Sequence, residues 1–476
     1  SIRHKGQSIG EVISANIGKR AKKLFLIFSY LTLILVVAAF AAIVAGTFVG
    51  INKDGSHNEA NASVAMVSIL FIVMAIIFGM CVYRRGAPLS VATVVGVIGI
   101  VICLIIGLKF HPIYLSNSTW MWIIGAYILV ASVAPVWILL QPRDYLSSFL
   151  LYGMMIIAFV GILGAGVMGQ NTNLPMPAFT GWTDTMTVNA NTGASASLGT
   201  VFPALFITIA CGAISGFHSL VGSGTTSKQL DHERDAKPIA YGGMLIECAL
   251  ALISLCAVAF VWNRYSLNFG EEGFLRAPTA VFANGLAGMV ATIPGLAGVE
   301  DVVRTLLILT VSAFCLTSLD TATRLARYMF QEFWLEPGQT YKDVSGYKAV
   351  LANPYVATAI TVVLGVALGM NGYSVIWPLF GAANQLLAGL GLLAVCAWLG
   401  NIGKNNKMFY IPMVFMLVVT IISLCQTITS RFKAISAGTA AFATYVQGIL
   451  AVVLVVLAVV LAIEGFQTVF GGKKKA

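Results

Sequence analysis

Glu247 is the residue in this sequence that most needs a chemical explanation. It stands eight residues into an apolar window that begins near Ile239, roughly 12 Å along a helix at 1.5 Å per residue. A carboxyl that deep in an apolar element is protonated, paired or facing water. Two readings stay open: a carboxyl hydrogen-bonded to a neighbouring helix, or a carboxylate that binds and releases a coupling proton. A second group lies in CGAISGFHSLVGSGTTSKQL, where Ser215, His218, Ser219, Gly222, Thr225 and Thr226 recur every three or four residues on one polar face. Close packing of small residues accounts for such a stripe. So does a cavity wall, with Ser215, His218 and Ser219 touching a substrate, His218 exchanging a proton, or Ser223, Thr225 and Thr226 offering oxygens to sodium.

Two windows carry helix breakers. In 120–140 the run Ser132-Val133-Ala134-Pro135 interrupts the apolar stretch, with Tyr127 and Trp137 on either side. A proline there frees a carbonyl one turn back, and unwound backbone at mid-membrane offers amide N–H groups to an anion. Tyr127, Ser132, Pro135 and Trp137 are therefore candidate substrate contacts. The run NGYSVIWPLFGAANQLLAG, with Pro378, Gly381, Asn384 and Gln385, reads equally as a kinked packing helix. Asp320 shares a helix face with Thr317, Arg324 and Arg327 by its spacing. A structural pair with Arg324 is the first reading and a coupling-ion role the second.

The elements that hold these residues follow from composition. Of the 476 residues 58% are hydrophobic and 10% charged, with a mean hydropathy of +0.90. A soluble domain carries about 25% charged residues, so a cytosolic enzyme, a disordered chain and a large soluble receptor are excluded. Windows long enough to cross a bilayer fall at 24–50, 63–83, 90–108, 120–140, 147–169, 200–222, 239–262, 303–330, 350–370, 373–399, 408–428 and 441–466. The expectation is an all-α polytopic membrane protein of about twelve transmembrane helices, with the lipid bilayer as its main partner. The softer, glycine-rich stretch 277–299 reads as an interfacial or re-entrant segment, and 170–199 as a long external loop.

Placing residues 1–23 inside as an amphipathic cytoplasmic loop puts 21 of the 28 Lys and Arg on inner loops and seven outside. That bias follows the positive-inside rule, and it requires 277–299 not to cross. The +10 charge is thus a topology signal rather than a nucleic-acid patch, and the lysines of 467–476 anchor a cytoplasmic tail. The eight cysteines form no CxxC pair and read as small buried hydrophobes, so no metal is expected. No nucleotide-binding fingerprint is present, and VGSGTTSK at 221–228 lacks the Gly-Lys-Ser/Thr order of a phosphate loop. Neither enzyme chemistry nor a cofactor is indicated, and active transport would draw on an ion gradient. The acidic and basic run Asp231–Asp235 reads as a solvated, self-paired cluster, and no repeated pore signature suggests a channel.

Four strings, RHKGQSIGEVI at 3–13, SGFHSLVGSGTTSKQL at 215–230, TSLDTATRLARYMFQE at 317–332 and WPLFGAANQLLA at 377–388, resemble the carbon starvation protein A (CstA) family. The resemblance implies a secondary transporter of the bacterial inner membrane that takes up pyruvate, with a proton as coupling ion, or peptides. It also implies further spans ahead of Ser1, including a Gly/Pro-rich broken helix with no counterpart here. With two such spans the layout resembles a leucine-transporter-type inverted repeat, with 120–140 as its sixth helix and 200–226 as its eighth.

Overall fold

The computed structural model describes residues 1–52, 55–168, 176–179, 181–183, 200–262 and 278–470. Backbone groups in an apolar run have no water to bond with, so they close their hydrogen bonds internally as helices. Helices α1 (Ile9–Asn16), α2 (Lys19–Phe48), α3 (Glu59–Gly79), α4 (Leu89–Lys109), α5 (Asn117–Val133) and α6 (Leu140–Val167) come first. Two short pieces, α7 (Phe206–Ile209) and α8 (Phe217–Gly224), precede α9 (Ala236–Phe260), α10 (Pro278–Ala291) and the long α11 (Glu300–Trp334). The chain continues through α12 (Tyr347–Leu351), α13 (Pro354–Gly369), α14 (Tyr373–Asn401), α15 (Tyr410–Ser436) and α16 (Phe442–Phe470).

Ten helical stretches among the described residues are long and apolar enough to cross a membrane. Ten of the twelve expected windows fall on them. The other two, 120–140 and 350–370, fall on the shorter α5 and α13, and 277–299 contains the 14-residue α10. α14, α2 and α11 form the centre, with 89%, 72% and 56% of their most apolar windows buried, against 17% for α9. α2 packs along α11 and α13. The first turn of α2 meets the last turn of α11, where Lys22 lies between Glu11 and Glu332, so the two run antiparallel.

Residues 1–23 are largely helical rather than a loop. Ser8 caps α1 by accepting the Glu11 N–H, the serine-x-x-glutamate start signal. Several segments expected inside gather at one end of the bundle: Arg3 pairs with Glu233, Ser8 with Glu332, Asn16 with Asn401 and Arg20 with Glu464. Just after α2, Gly50 N–H donates to the Leu115 carbonyl in the 110–116 linker. Not all the basic residues counted as loop markers are in solvent: Arg143, Arg324 and Arg327 are 1%, 4% and 7% exposed.

Candidate functional site

The break after α5 is not at mid-helix. α5 stops at Val133, and a fresh helix starts at Leu140, so Pro135 stands in a linker between two helices. The cause is local. Proline has no N–H for the Ala131 carbonyl, and it pushes the residue before it toward extended backbone; Ala134 has φ −57° and ψ 145°. Arg324 of α11 supplies the missing donors, its Nη2 donating to the carbonyls of Ala131 at 2.8 Å and Ala134 at 2.7 Å. Gly79, at the end of α3, lets this linker come close, since a Cβ there would lie 2.9 Å from the Trp137 carbonyl oxygen and 2.6 Å from Pro142.

Asp320, 2% exposed, does not take Arg324 as its hydrogen-bonding partner, which corrects the pairing expected from helix spacing. Its Oδ2 accepts from Arg143 Nη1 at 2.5 Å and from the Tyr127 hydroxyl at 2.7 Å, and Arg143 Nη1 also lies 2.6 Å from that hydroxyl. Arg324 instead turns its Nη2 to the linker carbonyls. Of the expected substrate contacts, Tyr127 is thus held by a buried ion pair. Ser132 is fully enclosed 3.5 Å from Thr358, and Trp137 lies under the Arg84 guanidinium.

The expected span 200–222 is discontinuous. α7 runs into a tight turn at Ala210–Gly212, the chain loses helical hydrogen bonding near Ser215, and α8 restarts at Phe217. Asn384 of α14 bridges the gap. Its Oδ1 accepts the Phe217 N–H at 2.7 Å, and its Nδ2 donates to Ser215 Oγ at 3.0 Å. Gly216 makes this possible: a Cβ there would sit 2.1 Å from the Asn384 carbonyl oxygen and 2.4 Å from Ala388 N. α9 closes the other side, with Cys248 Sγ donating to the Gly212 carbonyl at 3.1 Å.

This arrangement brings together two residues picked out separately in the sequence. His218, on the first turn of α8, places Nε2 3.2 Å from Glu247 Oε2 on α9. His218 is exposed and Glu247 half-buried, at 44% and 33% side-chain exposure, so the pair lies at the edge of the packed interior. It can hold a proton on imidazole, on carboxyl or between them, as one coupled unit. Three further hydroxyls donate to backbone carbonyls one turn back: Ser219 to Gly216, Ser223 to Ser219 and Thr225 to Val221. Asp320 belongs to a different cluster, with Arg143 and Tyr127.

Reading the sequence missed Arg143, which looked like an inner-loop charge. The signal available was its place in Pro-Arg-Asp just after a proline-broken helix. The Asp231–Asp235 run has the self-paired contacts expected of it, with His232 and Arg234 near Asp235 and Arg3 on Glu233.

Fold and site together define a polytopic α-helical membrane protein whose polar groups meet where its helices are discontinuous. The chain belongs to the carbon starvation protein CstA family, whose profile matches residues 1–269 and 262–423. It is 33% identical over 409 aligned positions to a peptide transporter CstA of Helicobacter pylori, covering 74% of this chain and 57% of that protein. It is 29% identical over 493 positions to the peptide transporter CstA of Escherichia coli, covering 88% of this chain and 65% of the relative. It is also 29% identical over 500 positions to the pyruvate/proton symporter BtsT of Escherichia coli, covering 88% and 66%. The chain therefore spans little more than half the length of the Helicobacter relative. Among solved structures, a manganese transporter of Eremococcus coleocola aligns over 98% of this chain and 93% of its own at TM-score 0.38 and 12% identity.

Proposed function

We propose that this chain forms the core of a bacterial inner-membrane secondary transporter that imports a small carboxylate, pyruvate first, in symport with a proton. The observation that carries the reading is the His218–Glu247 pair on a broken span, 3.2 Å apart. Ionisable side chains inside an apolar helix are costly and mark ion pathways. A discontinuous helix at the same place supplies the movable backbone that alternating access uses. When Glu247 takes a proton, its carboxylate becomes a neutral carboxyl and its attraction for a protonated His218 ends. Deprotonation toward the other side restores the pair. That one proton alters the contact between α8 and α9, which would tie its passage to a change in their packing.

The test is uptake of labelled pyruvate into proteoliposomes under an imposed proton gradient. Uptake rises as the outer pH falls, and Glu247→Gln abolishes accumulation against the gradient while leaving pyruvate exchange intact. Accumulation by Glu247→Gln equal to that of the parent would overturn the coupling role.

Peptide uptake by the same fold is the second reading, supported by the names of the CstA relatives. Competition of pyruvate uptake by dipeptides separates the two. Sodium coupling has its own support: Ser223 and Thr225 spend their hydroxyl protons on helix carbonyls, which leaves oxygen lone pairs for a cation. Sodium dependence at fixed pH, lost in Thr225→Val and Thr226→Val, would favour sodium as the coupling ion.

A further inference from the structure

We infer that Arg143 forms a binding site for a small monovalent anion, the carboxylate of a transported acid or a halide, between α3, α4, α6 and α11. Arg143 is 1% exposed, and one edge of its guanidinium is taken: Nη1 holds Asp320 and Tyr127. Its other two nitrogens, Nε and Nη2, are buried without a hydrogen-bond partner. A second carboxylate, Asp144, brings its Oδ1, itself buried without a hydrogen-bond partner, to 3.9 Å from Nη2, an ion-pair distance but beyond hydrogen-bond reach, although the side chain as a whole is 42% exposed.

The charge balance points the same way. Among the described residues three arginines, Arg143, Arg324 and, farther along α11, Arg327, are buried, and Asp320 is the only buried acidic residue. Arg324 gives its Nη2 to the two linker carbonyls, which carry no net charge, and its Nε is unpartnered. A buried guanidinium keeps its charge, and its burial is costly unless an anion and satisfied hydrogen bonds stand beside it. The free edge of a guanidinium matches a carboxylate through two parallel N–H donors.

Arg143 lines a cavity of about 10 Å³ with Ser68, Phe71, Cys103 and Leu316. That is room for about one water-sized group, such as one oxygen of a carboxylate, and a halide would need the walls to give slightly. Anything larger requires the lining side chains of α3, α4, α6 and α11 to move apart. The carboxylate arm of the inference rests on the transport reading above; the anion site itself does not.

The test is thermal unfolding of the chain in lipid nanodiscs, with sodium pyruvate, sodium chloride or sodium gluconate at equal ionic strength. An anion bound only to the folded protein raises the unfolding temperature with concentration. The expected result is a saturable rise with pyruvate, with chloride or with both, and none with gluconate, which is too large. A rise with pyruvate alone assigns a substrate carboxylate; a rise with chloride assigns a halide. The rise disappears in Arg143→Gln. It disappears equally in Arg143→Gln/Asp320→Asn, where the Arg143–Asp320 pair is removed as a unit and neither member is left behind without the other. Asp320→Asn alone keeps or enlarges it, because Arg143 loses a competing carboxylate; if Arg143 and Asp320 were only a structural pair, both single variants would behave alike.

No rise in the parent, or the same rise in the double variant, overturns the site. Proteoliposome uptake separates this failure from that of the transport reading. Pyruvate accumulation unchanged in the double variant removes the carboxylate arm and keeps transport. A pyruvate-dependent rise with no uptake keeps the site and removes transport.

Discussion

Arg324 shows how one side chain can decide a local structure. It is 4% exposed, and its Nη2 serves the Ala131 and Ala134 carbonyls that Pro135 leaves without a helical donor. Arg324→Met leaves both buried carbonyls unpaired, at a cost of about 1–3 kcal/mol for each. We expect a clearly lower unfolding temperature in detergent, and an intermediate loss for Arg324→Lys, which keeps a donor. An unfolding temperature for Arg324→Met equal to the parent's would show that the carbonyls find other partners. Spacing alone suggested Asp320 as the partner of Arg324, since the two stand one helical turn apart. Which acceptor a buried guanidinium takes depends on what the rest of the chain brings near it, and the proline is 189 residues away in sequence.

Among elements, the break between α7 and α8 is held by contact with α14. Gly216 and Asn384 are its two halves, one giving room and the other giving the acceptor for Phe217 N–H. Gly216→Ala drives a methyl into the backbone of α14, which no rotamer change relieves, and overpacking of this kind costs about 1–3 kcal/mol. Asn384→Leu orphans the Phe217 amide at a similar cost. Both variants should lower the initial rate of uptake as well as the unfolding temperature, because His218 is the next residue but one after Gly216. Asn384→Asp, which keeps the acceptor oxygen, should retain more of both. Parent-like uptake by Gly216→Ala would separate the break from the activity. The polar stripe of 215–226 and the helix breaker Pro378 were visible in the sequence. That Asn384, six residues beyond Pro378, braces the stripe was not visible, because nothing local in either segment encodes their meeting.

At the scale of the whole molecule, the central α2, α11 and α14 are sheathed by helices with large apolar outer faces, α4 and α9 among them. Segments carrying most of the basic loop residues gather at one end. With the three buried arginines set aside, eighteen basic residues remain on the expected inner side against seven on the other. Labelling with a membrane-impermeant thiol reagent checks this orientation. In a cysteine-free background, Cys introduced at Asn405 or Asp343 should react only in inside-out vesicles, and Cys at Ser56 or Thr439 only in intact cells. Reaction of Asn405→Cys and Ser56→Cys from the same side would refute the orientation.

The sequence by itself determined that this chain is helical and built for a membrane, where its apolar windows lie, and that its scarce ionisable groups are the places to look. Those properties are local or compositional: an apolar run must satisfy its own backbone, and a breaker acts on the turn that precedes it. Tertiary structure alone decided the partners. It set His218 against Glu247, took Asp320 from Arg324 and gave it to Arg143, and turned a presumed loop charge into a buried cation. A polar side chain in an apolar core pairs with whatever the fold brings within about 3 Å. That distance is a property of how helices cross, which residue spacing within one helix does not contain.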